Sequence, residues 1–430
     1  MTTTGADPAA QAAPSVPPLN LAASFAAQRV ELLAELTAVC DSGHYVLGPK
    51  VEAFEKALAE YCGARHALGI SSGTDALLLA LMALGVGPGD EVIVPAFTFF
   101  ASAGVVARLG ARPVFCDIEP RAFNLDVAQV ERLTSSRTRA IMPVHLYGQL
   151  ADVAALGDLA QRRGVPIVED AAQAIGARLT PHDRRSAGAY GVVGALSFYP
   201  TKNLGALGDA GALLTDDDAL MERCRKLRVH GSGHTYLHEQ IGGNFRIDAL
   251  QAAILAIRLR RLEAWTEARR ERAQRYNALL ESSGLTPELI RPPPEVRGRH
   301  VYHQYVCRAQ GRDELVAHLR ARGIGAMVYY PLPLHLQQCF AYLGHKPGDF
   351  PVSEEAARQV VALPLYPELT DAQLTYAASD VLHLHRLKAA LEPILEREGR
   401  MELAQAAFAF LPARARLDLL GYEDPDLFAH

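Results

Sequence analysis

Cysteine is scarce and scattered: Cys40, Cys62, Cys116, Cys224, Cys307 and Cys339 are the only six in 430 residues, and no two form a Cys-x-x-Cys pair. That spacing suggests neither a zinc ribbon nor a dense disulfide framework, and it points to a reducing compartment. Basic charge is not in excess either. The net charge of −5 supplies no overall positive field for nucleic acid or an anionic membrane, so a phosphate ligand needs a local site. No apolar run is long enough to cross a bilayer, and the N-terminus has no basic stretch leading into an apolar core. The chain is therefore read as cytoplasmic, with no membrane and no nucleic-acid partner. Internal repeats are also missing. What the chain does have is 49% hydrophobic residues, ample for the cores of two or three domains.

Residues 1–18, rich in Pro, Ala and Thr without apolar periodicity, read as a disordered tail. Helical spacing follows over Phe25 to Cys40 and Val51 to Tyr61. From His66 onward short β-rich runs alternate with helical ones through HALGI, DEVIVP, RPVFCD, RAIMPV, VPIVED, ALSFYP and GALLTD. About seven such strands, several apolar along their length, predict an α/β domain (19–250) with a largely parallel sheet covered on both faces. Ligands then belong beyond the carboxyl ends of the strands. One long helical stretch is expected from Arg246 to about Ser283. A smaller α+β domain (251–369) follows, with strands in HVYHQYVCRA, GIGAMVYYP and VVALPLYP and a helix over Asp313 to Arg322. The remainder, 370–430, reads as a helical appendage.

The segment SFYPTKNLGALGDAG, Ser197 to Gly211, displays Lys202 between a proline and a run of glycines just after an apolar strand. A lysine so placed is either a solvated loop residue or an amine nucleophile that forms a Schiff base, the bond by which pyridoxal phosphate is most often held. Residues elsewhere decide between the two. SSGTDALLLAL places Gly73 and Thr74 at the start of a helix, where they serve either as a phosphate cradle or as part of an ordinary N-cap. Asp170 ends an apolar strand 32 residues before the lysine, suited to pair with a pyridinium nitrogen or to cap the next helix. Gln173, one turn on, can reach a phenolic oxygen. In PAFTFFAS, Phe97 and Phe99 are core residues or one of them, Phe99 by preference, stacks on a ring. Ser197 and, from a glycine-opened loop, Asn244 are further phosphate donors.

SGTDAL, PAFTFFAS, FCDIEP, PVHLYGQ, VEDAAQAIGA, SFYPTKNLGALGDAGA, LRVHG, GGNFRIDALQAAIL, YYPLPLHLQ and ALPLYPEL, in this order, resemble the DegT/DnrJ/EryC1/StrS family of sugar aminotransferases over about Leu19 to Leu369. The resemblance implies a fold type I pyridoxal-phosphate-dependent transferase acting as a homodimer with shared active sites. It implies a nucleotide-linked keto-sugar as acceptor and L-glutamate as amino donor. Carried over by position, Lys202 is the Schiff-base lysine, Asp170 the ring-nitrogen partner, Gln173 the phenolate contact and Phe99 the stacking ring. Gly73, Thr74 and Ser197 form the phosphate cradle, joined by Asn244 from the other subunit, and Tyr330 and His335 lie on the substrate side. His335 reads equally as a structural loop histidine. GDAGA and YYPLPLHLQ resemble the enzymes that aminate sugar C3 rather than C4. Lys202 speaks against the family's dehydratases, which carry histidine there; a non-catalytic regulator that keeps the fold stays open.

From about Leu374 the chain resembles the end of a ribonuclease D-like 3′–5′ exonuclease, with Tyr376 and Asp380 in a Tyr-x-x-x-Asp pattern. Two-metal hydrolysis needs several converging carboxylates, and Asp117 with Glu119 belong to a motif already accounted for, so no metal is expected. Thr370 and Gln373 are spaced as a capping box.

Overall fold

A computed structural model describes residues 15–381 apart from 235, 284–286 and 288, together with 397, 399 and 400. Residues up to Ala378 form one compact unit and those from Ser379 onward another. In the first unit seven strands carry the architecture: β1 (His66–Ile70), β2 (Glu91–Pro95), β3 (Arg112–Cys116), β4 (Thr138–Ile141), β5 (Val168–Asp170), β6 (Val193–Ser197) and β7 (Gly211–Thr215). β3-β2-β4 and β5-β6 run parallel, whereas β7 is inserted antiparallel between β6 and β1. Single parallel bridges, Ile141 to Ile167 and Val144 to Asp170, join the two halves into one sheet. Every residue of β2 and of β7 is buried, as strands covered on both faces require. The expected fold class, α/β of fold type I with a mostly parallel seven-stranded sheet, is found.

The reversal of β7 positions the site. Because Ser197 pairs with Gly211 and Ile70 with Gly211, the start of β7 meets the ends of β6 and β1 at one edge of the sheet. That edge also carries Pro95 and Asp170, the last residues of β2 and β5. The helix Gly73–Ala83 leaves the same edge and buries eight of its eleven residues against the sheet and its neighbours. At about 1.5–3 kcal/mol for each buried Leu, this helix is fixed by the core rather than by its caps.

Three sequence expectations fail locally. In the 1–18 stretch read as a disordered tail, Val16 is buried, its N–H donating to Gly323 O at 2.9 Å and its carbonyl accepting from Gly325 N at 2.8 Å. The long helix after Arg246 is two helices, Ala249–Leu259 and Leu262–Glu281. The break lets Leu259 and Leu262 both enter the core while Arg260 and Arg261 turn outward to bind Glu31. GIGAMVYYP is not a strand of its own: its backbone pairs with the small sheet through a bridge from Met327 to Ala362, and Met327 and Val328 pack against the cluster that holds Val306, Val360 and Ala362. That three-stranded antiparallel sheet comprises Ile290–Arg291, Tyr305–Ala309 and Val360–Leu363. Buried Arg269 ties the second helix to it by donating to the carbonyl of Leu365 at 2.9 Å. The tail's helix begins at 371 with the expected box, Gln373 N donating to Thr370 Oγ1 at 3.3 Å and Thr370 N to Gln373 Oε1 at 3.2 Å.

Candidate active site

Asp170 is buried, and its carboxylate is held by local chemistry. Ser102 Oγ donates to Oδ2 at 2.7 Å and the Ala172 N–H to Oδ1 at 3.2 Å. Burial raises its pKa above the usual carboxylate range, opposed by these donors and by the charge of Lys202. Lys202 answers in the opposite sense: desolvation pushes its pKa down to about 8, with Asp170 pulling it back up. A buried carboxylate and a desolvated amine therefore sense each other across the edge of the sheet, an arrangement more typical of functional sites than of structural ion pairs.

Beside them the backbone forms a tight cradle. A Cβ placed on Gly73 would lie 2.6 Å from Ser197 Cβ, and one on Gly211 would lie 2.5 Å from the Ser72 carbonyl carbon. Only glycine allows the turn 71–73, the end of β6 and the start of β7 to come this close. Ser72 caps the helix by accepting from Asp75 N at 3.0 Å, and Ser71 Oγ donates to Asp75 Oδ2 at 2.7 Å. The Gly73 and Thr74 amides, in the first turn, have no intrahelical partner, and the Thr74 side chain is exposed. The N-cap and cradle readings of SSGTDAL are thus compatible: the capping falls to Ser72. These residues would suit a phosphate-bearing ring compound, the 73–74 turn offering amides to its anion and Asp170 a carboxylate to a ring nitrogen.

Phe97 is fully buried, whereas Phe99 is 54% exposed and tilted against the ring of Tyr330 at 6.1 Å. Of the two rings, Phe99 has a free face. Gln173 is oriented at both ends, accepting from Tyr147 N at 2.7 Å through Oε1 and donating Nε2 to Tyr330 Oη at 3.2 Å. Lys202, Asp170, Gln173, Ser197, Gly73, Thr74, Phe99 and Tyr330 thus gather at one edge of the large sheet. Asn244 stands apart, exposed on the loop before the helix Ala249–Leu259, with no side-chain hydrogen bond among the described residues. His335 is buried with Nε2 3.2 Å from Glu354 and its ring packed 4.6 Å from Phe350, contacts that favour the loop-histidine reading, while its buried Nδ1 has no hydrogen-bond partner among the described residues.

Sequence reasoning passed over several neighbours. Ser102 lies inside PAFTFFAS without having been given a role. Asn203, next to the lysine, donates to Val301 O at 3.1 Å and stands 3.3 Å from His303 Nδ1; that histidine is buried and held well below its usual pKa by burial and by Lys202. Glu169, fully buried, accepts from Gly188 and Tyr190 N–H groups at 2.8 and 2.6 Å and pairs with His145 at 2.7 Å, tying the 188–191 turn to the back of the site. A Glu-Asp pair at a strand end was the available signal, since alternation sends one side chain into the cleft and the other away from it.

The sequence profile of the DegT/DnrJ/EryC1/StrS aminotransferase family matches residues 27–382. The chain belongs to this family. It is 46% identical over 363 residues to the dTDP-3-amino-3,4,6-trideoxy-alpha-D-glucose transaminase of Streptomyces venezuelae, covering 84% of this chain and 93% of that one. It is 48% identical over 373 residues to a pleiotropic regulatory protein of Geobacillus stearothermophilus, covering 86% and 99%. Among solved structures, DesV of S. venezuelae, in complex with a ketimine intermediate, superposes with a TM-score of 0.82 at 45% identity over 86% of this chain and 98% of that one. NtdA of Bacillus subtilis with bound cofactor PMP gives 0.80 at 33% identity over 86% and 85%. The family match runs through Tyr376 and Asp380, past the expected end at Leu369, and no comparison supports the exonuclease resemblance; most of the residues that carried it lie outside the described ones. Among the described residues no group of His, Cys, Asp and Glu could hold a metal, and no helix is long and apolar enough to cross a membrane.

Proposed function

We propose that the chain is a pyridoxal-phosphate-dependent aminotransferase that moves an amino group from L-glutamate to carbon 3 of a nucleotide-linked keto-sugar. The observation that carries the reading is the convergence of buried Asp170 and desolvated Lys202 on a glycine-walled cradle at the carboxyl edge of the sheet. In this reading Lys202 holds the cofactor aldehyde, Asp170 faces the ring nitrogen, Gln173 donates to the phenolic oxygen, and Phe99 covers the ring. Gly73, Thr74 and Ser197 hold the phosphate. When bound, pyridoxal phosphate supplies a carbonyl for exchange with amines and a ring that accepts negative charge from a deprotonated carbon.

The chain's own groups do the rest. An amine that loses its proton near pH 8 is a competent nucleophile and, once displaced by the donor amine, a general acid and base at Nζ. Ionised Asp170 keeps a proton on a nitrogen placed against it, and its hydrogen bonds from Ser102 and Ala172 hold it in register. Tyr330 stands at the substrate side between Phe99 and Gln173.

Carbon 3 is favoured because several relatives are named for amination there, among them a UDP-N-acetyl-3-dehydro-alpha-D-glucosamine 3-aminotransferase of Acidithiobacillus ferrooxidans at 41% identity. A shared-site homodimer is favoured by exposed Asn244 and by Tyr236, Leu237 and Ile241 in the segment just before it, each 64% exposed or more. Apolar groups this open on a folded chain mark an interface. The name of the Geobacillus relative favours a regulator as second reading, which the chemistry at Lys202 opposes. The test is a panel of nucleotide-linked 3-keto and 4-keto sugars incubated with glutamate and read by mass spectrometry. Amination of a 3-keto sugar is expected; a cofactor-loaded protein that aminates none of them overturns the reading in favour of a regulator.

A further inference from the structure

Tyr147 is buried, has no place in the reading above, and adopts a backbone conformation that L-residues rarely take. Its φ is +58°, and the next residue, Gly148, has φ +104°. A non-glycine residue at positive φ costs free energy, and such outliers persist where surrounding structure requires them. Here the requirement is visible on every side of the residue. The turn directs the Tyr147 N–H to Gln173 Oε1 at 2.7 Å, while its carbonyl accepts from Gln304 N at 3.3 Å. The hydroxyl reaches across to the carbonyl of Tyr329. The ring stands edge-on to Phe123 at 5.7 Å, which fixes the direction in which the hydroxyl points. Gly148 continues the clasp: its carbonyl accepts from Val301 N at 2.9 Å, and a Cβ there would lie 2.9 Å from the backbone nitrogen of His303.

The consequence is a closed ring of contacts. Tyr147 N–H binds the carbonyl end of Gln173, so the amide end of Gln173 is turned to Tyr330 Oη at 3.2 Å. Tyr330 is bonded to Tyr329, whose carbonyl returns to the Tyr147 hydroxyl. One residue therefore decides two things at once: which end of Gln173 faces the cleft, and where the 329–330 segment sits. With the amide of Gln173 reversed, a carbonyl would confront a ligand oxygen and repel it.

We propose that Tyr147 is a positioning residue that couples the cofactor-side glutamine to the substrate-side tyrosine, its N–H setting Gln173 and its hydroxyl latching Tyr329–Tyr330. The inference rests on Gln173 and Tyr330 facing cofactor and acceptor as proposed above. If the hydroxyl latch matters, Tyr147→Phe should behave like a displaced Tyr330: the acceptor KM rises about tenfold while kcat stays within about twofold, because acceptor positioning is lost and the chemistry at Lys202 is not.

The test is a double-mutant cycle on Tyr147→Phe and Tyr330→Phe in the full chain, read in two ways. Acceptor KM and kcat are measured on the holoenzyme, and thermal melting is measured on the cofactor-free protein. Non-additive effects in both readouts, the double variant being no worse than the worse single one, are expected. Additive effects, or a fall in melting temperature with acceptor KM unchanged, would reduce Tyr147 to a packing residue and overturn the proposal. Should Tyr147→Phe fold poorly, Tyr330→Phe and Phe123→Leu remain: the latter disturbs the ring's support without touching either hydrogen bond and should raise acceptor KM in the same direction. An unmodified protein that transfers no amino group would instead refute the functional reading and leave the melting cycle to judge the latch alone.

Discussion

Ser102 donates a hydrogen bond of 2.7 Å to Asp170, joining the first turn of the helix that follows β2 to the last residue of β5. The bond holds a carboxylate that burial would otherwise drive toward its neutral form. Asp170→Asn keeps the shape and removes the charge, so turnover should fall by ~10²-fold, roughly 3 kcal/mol of barrier, with cofactor still bound. Because burial raises the pKa of this carboxyl, ionised Asp170 costs stability at neutral pH, and the cofactor-free Asp170→Asn protein should melt no lower than the unmodified one. Undiminished turnover in this variant would leave Asp170 as only a helix cap.

Lys202 gives a pH signature of its own. Its pKa is pushed from 10.5 to about 8, so the folded state holds a charged amine at a cost below pH 8, and that cost disappears as pH rises from about 8 to about 10.5. The difference amounts to about 3 kcal/mol. In cofactor-free protein, denaturant unfolding at pH 7 and pH 10 should therefore show a gain with pH for the unmodified chain relative to Lys202→Met; that variant, once incubated with cofactor, should also be colourless after dialysis into cofactor-free buffer. Parallel pH dependence in the two proteins would mean that the amine is solvated.

The strands, their order along the chain and most of the site were legible because they rest on local signals. Apolar runs, the Asp170 strand end and the display of Lys202 each declare themselves within a few residues. What escaped depends on contacts distant in sequence. Ser102 acquires meaning only when β2 and β5 share an edge, and Tyr147 only when the turn after β4 meets residues 173, 304 and 329. His335 stayed undecided in the sequence for the complementary reason. Its motif is local, but its burial is set by Glu354 and Phe350 from the following helix and its entry. The single helix expected after Arg246 broke at Arg260–Arg261 because a pattern of good helix formers does not reveal that Leu259 and Leu262 must both turn inward.

If the phosphate is shared between chains, Lys202 and Asn244 act in the same site from different subunits. Mixed dimers of Lys202→Ala and Asn244→Ala chains then carry one site with both lesions and one with neither. Neither parent should be active, and mixing should restore up to half the activity per mixed dimer; the recovery should track the amount of heterodimer formed. Heterodimers shown by mass spectrometry to form without regaining turnover would place Asn244 outside the neighbouring site, and dilution of the unmodified enzyme should weaken cofactor retention only if the sharing is real.

The helix opening at 371 tests how the small sheet is covered. Leu374, Ala377 and Ala378 are all buried, and Tyr376 donates to the carbonyl of Arg322 at 3.0 Å, closing the chain over the end of the helix Arg312–Ala321. Leu374→Ala should cost about 2–5 kcal/mol, since it empties a packed position. Thr370→Ala should cost about 1 kcal/mol by removing one half of the capping box. Truncation after Leu369 removes all of these contacts together and should lower the melting temperature by more than Leu374→Ala does, while the absorbance of bound cofactor survives in whatever fraction stays folded, because no residue of the cradle lies beyond that point. A truncated protein that melts like the full chain would show that this helix is an ornament on the fold rather than the cover of its core.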